Sequence, residues 1–211
     1  MSSGPNAPLV DALCEFLEAA VHAVLRARGL YPPELFERAR LYGVAVSKAR
    51  HPGLCGYIAS TISHIKPLLA AESLRELAVA FAAPDGAPLS KVTFIVQGVA
   101  PTLIDLDPDA LEAAFRSALL KLQFIDNLLA PLPQGATFEL LVLAASREGA
   151  DPAFWTEEDP TEAAALDPPV AATPVKAVAL EGVLSMQVLL EEGSSSGAEA
   201  AAEAAAGTEQ G

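Results

Sequence analysis

Apolar residues in the first thirty positions recur at intervals of three and four, which is the spacing of one face of an α-helix. The series consists of Val10, Leu13, Leu17, Val21 and Val24. It is followed by Arg26, Arg28 and Gly29, and a basic last turn before a glycine is a typical helix end. The pattern therefore predicts a first helix over about residues 9–28.

A second helix is predicted over about residues 51–69, because Pro52 is suited to the first helical turn. Two apolar segments, 74–82 and 89–96, follow it. The sequence Pro84-Asp85-Gly86 lies between them, where proline presets one turn dihedral and glycine supplies a positive φ. These two segments are predicted to pair as a β-hairpin.

The most regular helical pattern follows Asp107-Pro108-Asp109, which supplies an N-cap, a proline at the first helical position and a carboxylate favoured by the helix dipole. One apolar series continues to Leu129, before Pro131. A second apolar line flanks it at Leu119, Leu120, Phe124 and Leu128. Because the helix is apolar around much of its circumference, we expect it to be nearly enclosed.

The composition changes after Arg147, where alanine, proline and acidic residues dominate up to residue 173. Strand-like segments return at 174–179 and 183–190. Residues 193–211 contain mainly Ala, Glu, Ser and Gly and have little to bury, so we expect a disordered tail. A flexible N-terminus is expected over residues 1–8.

The predicted elements occur in the order helix, short strand near residues 44–46, helix, hairpin, central helix, strand at 137–145 and two further strands. Helices and strands mix without regular βαβ alternation. This order predicts an α+β fold with a mainly antiparallel sheet.

The charge balance argues against a nucleic-acid-binding surface. The 211-residue chain has 13 Lys and Arg against 27 Asp and Glu, a formal charge of −14, whereas phosphate contacts require clustered cations. The basic residues concentrate at Arg26, Arg28, Arg38, Arg40, Lys48 and Arg50. We interpret this segment as a solvated helix end and loop, with contact to an acidic partner as the alternative.

Membrane insertion and secretion are not expected either. No uncharged run approaches the about 20 residues of a spanning helix, and the first residues lack a signal pattern. The chain contains two cysteines, Cys14 and Cys55, which cannot form a disulfide framework or a four-thiolate zinc site. A reducing compartment is therefore expected.

Motifs for catalysis or cofactor binding are missing from the sequence. It contains no phosphate-binding Walker loop, dinucleotide glycine motif or nucleophile elbow. The histidines, His22, His51 and His64, are far apart and lack metal-ligand spacing. We expect His22 to be structural, both cysteines to be buried and inert, and the protein to have no active site, metal or cofactor.

Trp155 is the only tryptophan and lies in an acidic, weakly hydrophobic segment. Such a residue either fixes its loop to the core or covers an extended ligand, since tryptophan and tyrosine are favoured at interface centres. Tyr57 has the same two interpretations.

Several segments together resemble one known family. They are LCEFLEAAVH (13–22), YPPELFERARLYGVAV (31–46), ARHPGLCGYI (49–58), KPLL (66–69), FRSALLKL (115–122), PLPQGATFELLV (131–142) and PPVAATPVKA (168–177). This is the family of HORMA-domain accessory subunits of translesion DNA polymerase zeta, the mitotic-arrest-deficient-2-like proteins. The resemblance covers about residues 9–192.

The resemblance implies a HORMA domain over residues 9–192, in which a mainly antiparallel sheet packs on three helices. HORMA domains hold a short extended partner peptide against a sheet edge. Their C-terminal segment, the safety belt (residues 147–192 here), crosses over the peptide and rejoins the sheet on the far side. The resemblance thus implies a non-catalytic adaptor.

The resemblance also implies three sets of site residues. The implied peptide-binding residues are Tyr57 and Trp155. The implied HORMA–HORMA dimer interface contains Arg116, Lys121 and Asn127, and the implied scaffold-binding residues are Val170, Gln187 and Leu189. Leu189 stands where the family usually has a tyrosine. For Arg116 and Lys121, plain solvated charges are the alternative.

These implications give a functional hypothesis. The protein is expected to be a nuclear adaptor, with the cytoplasm as the alternative location. It would clamp a proline-containing peptide of the catalytic subunit of polymerase zeta and bind the C-terminal domain of the Y-family polymerase scaffold. Homo- or heterodimers of HORMA domains are also implied. The alternatives are a checkpoint-type HORMA protein that inhibits an activator of the anaphase-promoting complex, and a small hydrolase with an unrecognised site.

Overall fold

The computed structural model describes residues 6–99, 107–156, 172–181 and 183–193. Most of the tail expected over 193–211 and the first five residues of the expected flexible N-terminus lie outside these ranges. The α-helices are α1 (Ala7–Ala27), α2 (Pro52–Ala70) and α3 (Pro108–Leu122). The strands are β1 (Phe36–Leu41), β2 (Val44–Ala49), β3 (Leu74–Ala82), β4 (Pro88–Val99), β5 (Thr137–Ala144), β6 (Thr173–Leu180) and β7 (Leu184–Glu192).

The main sheet has five strands in the order β5-β3-β4-β7-β6, and every neighbouring pair is antiparallel. Val79 at its centre lies opposite Val92 of β4 and Leu140 of β5. The C-terminal strand β7 pairs with β4, where Val188 lies opposite Phe94. The chain therefore leaves the sheet at the β5 edge and returns to it on the opposite side of β3 and β4.

Helix α1 lies at the centre of the core. Its side chains Leu13, Phe16 and Leu17 have no exposed surface. The Phe16 ring stacks on Phe115 of α3 at 4.5 Å between centroids and meets Phe94 of β4 edge-on at 6.4 Å. One aromatic side chain thus joins two helices to the sheet, and fully burying such a side chain stabilises the fold by about 1.5–3 kcal/mol.

The predicted starts of α2 and α3 and the predicted end of α1 are confirmed. The Asp107 carboxylate accepts a hydrogen bond from the Asp109 N–H at 3.0 Å, as an N-cap does. At the start of α2, the His51 ring accepts from the Leu54 N–H at 3.4 Å. Gly29, which follows α1, has a φ of +64°, a conformation that glycine adopts without strain.

The central helix is shorter and less enclosed than predicted. Helix α3 ends at Leu122, and a short 3₁₀ turn, Ile125–Leu128, follows it. Of the flanking apolar line, Leu119 is fully buried, whereas the other three residues are exposed. Leu120 is 43%, Phe124 64% and Leu128 55% exposed, so the expectation of near-complete enclosure was wrong.

The basic first third departs from the expected solvated helix end and loop in two ways. Arg38 and Arg40 lie on β1 and Lys48 lies on β2 rather than in a loop. Arg28 is buried rather than solvated, with 6% of its surface exposed. Its guanidinium donates to the Ala130 carbonyl at 3.0 Å and to the Ser90 hydroxyl at 3.4 Å, and lies 5.6 Å from the Phe81 ring centroid. Burial lowers its pKa, while Glu192 opposes that shift.

A hairpin of β1 and β2 precedes α2. Tyr42 and Gly43 join its strands with φ values of +48° and +73°, as in a two-residue hairpin turn. Strand β1 was not predicted, because its sequence FERARL has largely exposed side chains and a weak apolar pattern.

Candidate functional site

Strand β5 forms an edge of the main sheet within the described part of the chain. It pairs with β3 on one side, and the structure places no described strand on the other. The Leu140 N–H donates to the Tyr57 hydroxyl at 3.1 Å, so it points away from β3. Because backbone groups alternate in direction along a strand, the N–H and C=O groups of Phe138, Leu140 and Val142 face the free edge. An edge of this kind can accept a further strand.

Aromatic side chains lie beside this edge. Tyr57 of α2 is 41% exposed, and its ring meets Phe138 of β5 edge-on at 5.8 Å between centroids. Phe138 also meets Tyr31 edge-on at 6.3 Å. Tyr57 is therefore neither a simple core residue nor free in solvent: its ring packs on β5 and its hydroxyl caps a backbone group at the edge.

Trp155 lies just after β5, in the first described part of the predicted safety belt. It is partly buried against the hydrophobic core, and its ring meets Phe154 edge-on at 4.8 Å. Its Nε1–H is buried and has no hydrogen-bond partner among the described residues. A buried donor without an acceptor costs about 1–3 kcal/mol, and an added carbonyl oxygen would remove that cost.

Helix α2 positions both predicted peptide-binding aromatics. Tyr57 and His64 are seven residues apart, hence on the same helix face and about 10 Å apart along its axis. The His64 ring stacks on Phe154, with 3.7 Å between centroids and 4° between planes, and Phe154 in turn contacts Trp155. The sequence indicated Tyr57 and Trp155 but gave no signal for His64, whose partner is distant along the chain.

The three residues predicted for dimerisation have contacts within the chain. Arg116 donates to the Tyr42 carbonyl at 2.6 Å and to the Glu112 carboxylate at 2.7 Å. Lys121 donates to the Val175 carbonyl of β6 at 3.3 Å. Asn127 is exposed, and its amide donates to the Phe124 carbonyl at 3.2 Å. Their role in dimerisation stays a prediction.

Two of the predicted scaffold-binding residues lie on β7. Gln187 is exposed and Leu189 is half-buried, whereas Met186 and Val188 point into the core. Gln187 and Leu189 therefore share the outward face of the sheet. Val170 lies outside the described residues, and the scaffold contact stays a prediction.

The described residues bear on the expectations for metal binding, for a membrane span and for Cys14 and His22. They contain no group of three or more His, Cys, Asp or Glu side chains that could hold a metal ion, and no helix among them is both long and apolar enough to span a bilayer. Burial raises the pKa of the Cys14 thiol to about 11. His22 is buried, and its Nδ1 accepts from the Ala49 N–H at 3.4 Å, a structural role.

The comparison with curated proteins decides the family. The chain is 32% identical over 184 residues to the DNA polymerase zeta processivity subunit of Arabidopsis thaliana, which covers 85% of this chain and 83% of that relative. The chain belongs to the family of DNA polymerase zeta processivity subunits and MAD2B proteins. It is also 35% identical over 138 residues to the mitotic spindle assembly checkpoint protein MAD2B of Homo sapiens. That match spans 64% of the length of each protein. No protein-family model matches the chain.

Solved structures establish the fold of this family member. A chain in the crystal structure of the mitotic checkpoint complex superposes with a TM-score of 0.74 at 20% identity, covering 87% of this chain and 98% of that one. The structure of HTP-2 bound to HTP-3 motif-6 gives a TM-score of 0.69 at 12% identity, covering 90% and 92%. The fold is a HORMA domain, and the predicted α+β architecture with a mainly antiparallel sheet on three helices is confirmed.

Proposed function

We propose that this HORMA protein is a non-catalytic adaptor subunit of translesion polymerase zeta. It captures a short, extended, proline-containing segment of the catalytic subunit on the free edge of β5 and encloses it beneath the safety belt. It acts in the nucleus and presents Val170, Gln187 and Leu189 to the C-terminal domain of the Y-family scaffold. One observation carries the capture step: β5 has no described strand on one side, while the chain that follows it rejoins the sheet beside β4.

The length of the connection supports enclosure of a peptide. Neighbouring strands lie about 4.8 Å apart, so the five-strand sheet is about 20 Å wide. Residues 145–172 connect β5 to β6, and a chain of that length can reach roughly 90 Å when extended. This reach greatly exceeds the width of the sheet and leaves room for a ligand strand under the connection.

The side chains beside the edge support a choice among peptides. Backbone pairing with Phe138, Leu140 and Val142 would give affinity that depends little on sequence. The exposed face of Tyr57 and the unpaired indole N–H of Trp155 then add contacts that depend on the ligand, and tryptophan and tyrosine are common anchors in such sites.

A peptide array tests the proposal. Overlapping 20-residue peptides that span the polymerase zeta catalytic subunit should contain a segment that binds, with its affinity then measured by calorimetry. Val142→Pro removes an edge-facing N–H, which an edge strand tolerates, and should abolish binding with the fold retained. Val142→Thr keeps the N–H and the branched shape and should bind like wild type. Equal binding by both variants would exclude pairing at this edge.

A second function is favoured by the name of the Homo sapiens relative, which describes a mitotic spindle assembly checkpoint protein. In this alternative the same edge holds a segment of an activator of the anaphase-promoting complex, and the protein inhibits that activator. Affinity capture from cells with mass spectrometry separates the two. Polymerase subunits support the proposal, and checkpoint proteins without polymerase subunits support the alternative.

A further inference from the structure

We infer that His64 is a positioning residue that docks the beginning of the safety belt, residues 151–155, onto α2 and sets the orientation of Trp155. The inference deepens the proposed function and rests on it for its consequence, the retention of a bound peptide. The docking itself is a property of the protein without ligand. It depends on contacts between α2 and the segment that follows β5.

The His64 ring has three contacts besides its stack on Phe154, one of them between Nδ1 and the neighbouring Ser63 hydroxyl at 3.4 Å. Its Nδ1 lies 2.8 Å from the carbonyl oxygen of Ser60, one helical turn earlier. Since a carbonyl only accepts hydrogen bonds, Nδ1 carries the hydrogen there. The opposite nitrogen, Nε2, faces the Asp151 carboxylate, with 3.7 Å between Nε2 and Oδ2. The helix thus fixes one side of the ring, and the belt contacts its other side and its face.

Residues 151–155 form a tight turn that is held by its own hydrogen bonds. The backbone N–H groups of Phe154 and Trp155 donate to the Asp151 carbonyl at 3.1 and 3.2 Å. The Ala153 N–H donates to Oδ1 of the Asp151 carboxylate at 2.9 Å. One carboxylate oxygen therefore stabilises the turn while the other faces His64, so the docked ring orients the turn that ends in Trp155.

The residues just before this turn also lie against α2 and its C-terminal end. The Ser73 hydroxyl donates to the Glu148 carbonyl at 3.2 Å. Gly149 approaches Pro67 so closely that an added Cβ would lie 2.8 Å from the Pro67 carbonyl carbon and oxygen. The His64 contact therefore completes a series of contacts along α2, and it is the one nearest to Trp155.

Docking of this turn should slow the release of an enclosed peptide. Trp155 can contact the ligand only while the turn of residues 151–155 is docked on α2. If the turn undocks, Trp155 moves away from the ligand with it. The lifetime of the complex should then depend on His64, although no contact between His64 and the ligand is required. The association rate should change less, since it depends on encounter with the β5 edge.

Fluorescence of the ligand-free protein tests the docking directly, because Trp155 is the only tryptophan. His64→Ala should shift its emission to longer wavelength and increase quenching by acrylamide. His64→Phe keeps a ring for the stack and should restore much of the wild-type signal. Lys66→Ala is the matched control on α2, because Lys66 forms an ion pair with Asp11 of α1 and not with residues 151–155. Wild-type emission and quenching in His64→Ala would overturn the inference.

Peptide release tests the consequence. With a fluorescein-labelled peptide identified from the array, His64→Ala should release it about fivefold faster than wild type, because the stack on Phe154 is lost. If no peptide binds wild-type protein while the fluorescence changes occur, the proposed function fails and the docking stands. If peptide binds but the fluorescence of His64→Ala is unchanged, the docking alone is refuted.

Discussion

Replacement of Tyr57 by phenylalanine separates the two parts that this residue plays at the β5 edge. The ring should keep its edge-on contact with Phe138, while the hydroxyl that accepts from the Leu140 N–H at 3.1 Å is removed. In the ligand-free protein this hydroxyl occupies a backbone donor that an added strand would use. A ligand carbonyl must therefore displace it before pairing is complete.

The size of the effect follows from that exchange. A hydrogen bond of this kind contributes about 0.5–1.5 kcal/mol net, so Tyr57→Phe should tighten peptide binding by about 2- to 12-fold and destabilise the free protein by a similar free energy. Tyr57→Ala also removes the ring from Phe138 and should weaken binding. The assays are calorimetry with the array peptide and thermal unfolding.

The opposite sign would refute this reasoning. Weaker binding by Tyr57→Phe, with the ring contact preserved, would mean that the hydroxyl bonds to the ligand rather than competes with it. Unchanged affinity together with unchanged stability would show that the hydrogen bond from the Leu140 N–H to the Tyr57 hydroxyl contributes to neither stability nor affinity. Circular dichroism of both variants establishes that the fold is retained.

Three further predictions concern other residues. Trp155→Ala should weaken peptide binding about tenfold or more in calorimetry, as loss of a central aromatic anchor does, and wild-type affinity would exclude Trp155 as a contact. Arg116→Ala should reduce self-association in sedimentation, with Glu112→Ala as the control that removes only its carboxylate partner; identical profiles for wild type and Arg116→Ala would argue against that interface. Cys14, whose pKa is about 11, should be about 0.1% thiolate at pH 8. Mass spectrometry should find slow alkylation of the partly buried Cys14 by iodoacetamide that accelerates as the pH rises towards 11, and rapid modification at pH 8 would contradict the raised pKa of the thiol.

Local patterns predicted most of the elements because their physical causes are local. The apolar face of α1, the N-cap at Asp107 and the turn at Pro84-Asp85-Gly86 each depend on residues close together in the chain. The end of α3 could not be predicted in this way. Its apolar periodicity continues to Leu129, and only the fold shows that the chain leaves the helix at Leu122.

Contacts between distant segments required the structure or the family resemblance. The alternation in β7 predicts a strand, but it does not predict that Val188 lies opposite Phe94 on β4. Only the family resemblance implied that the safety belt rejoins the sheet on its far side. The aromatic residues Tyr57 and Trp155 were identified as candidates. The Leu140 N–H bond and the His64 stack were not, because nothing in the sequence near either residue encodes its partner.

The position of the β6–β7 hairpin has a kinetic consequence for the proposed adaptor. The hairpin pairs with β4 along the whole of β7, from Leu184 opposite Val99 to Glu192 opposite Ser90, and none of these residues lies at the β5 edge. A captive segment too bulky to slide out lengthwise can leave only after this ladder separates. Substitutions in β4 or β7 should therefore change how long a partner stays bound while leaving every atom that touches it in place.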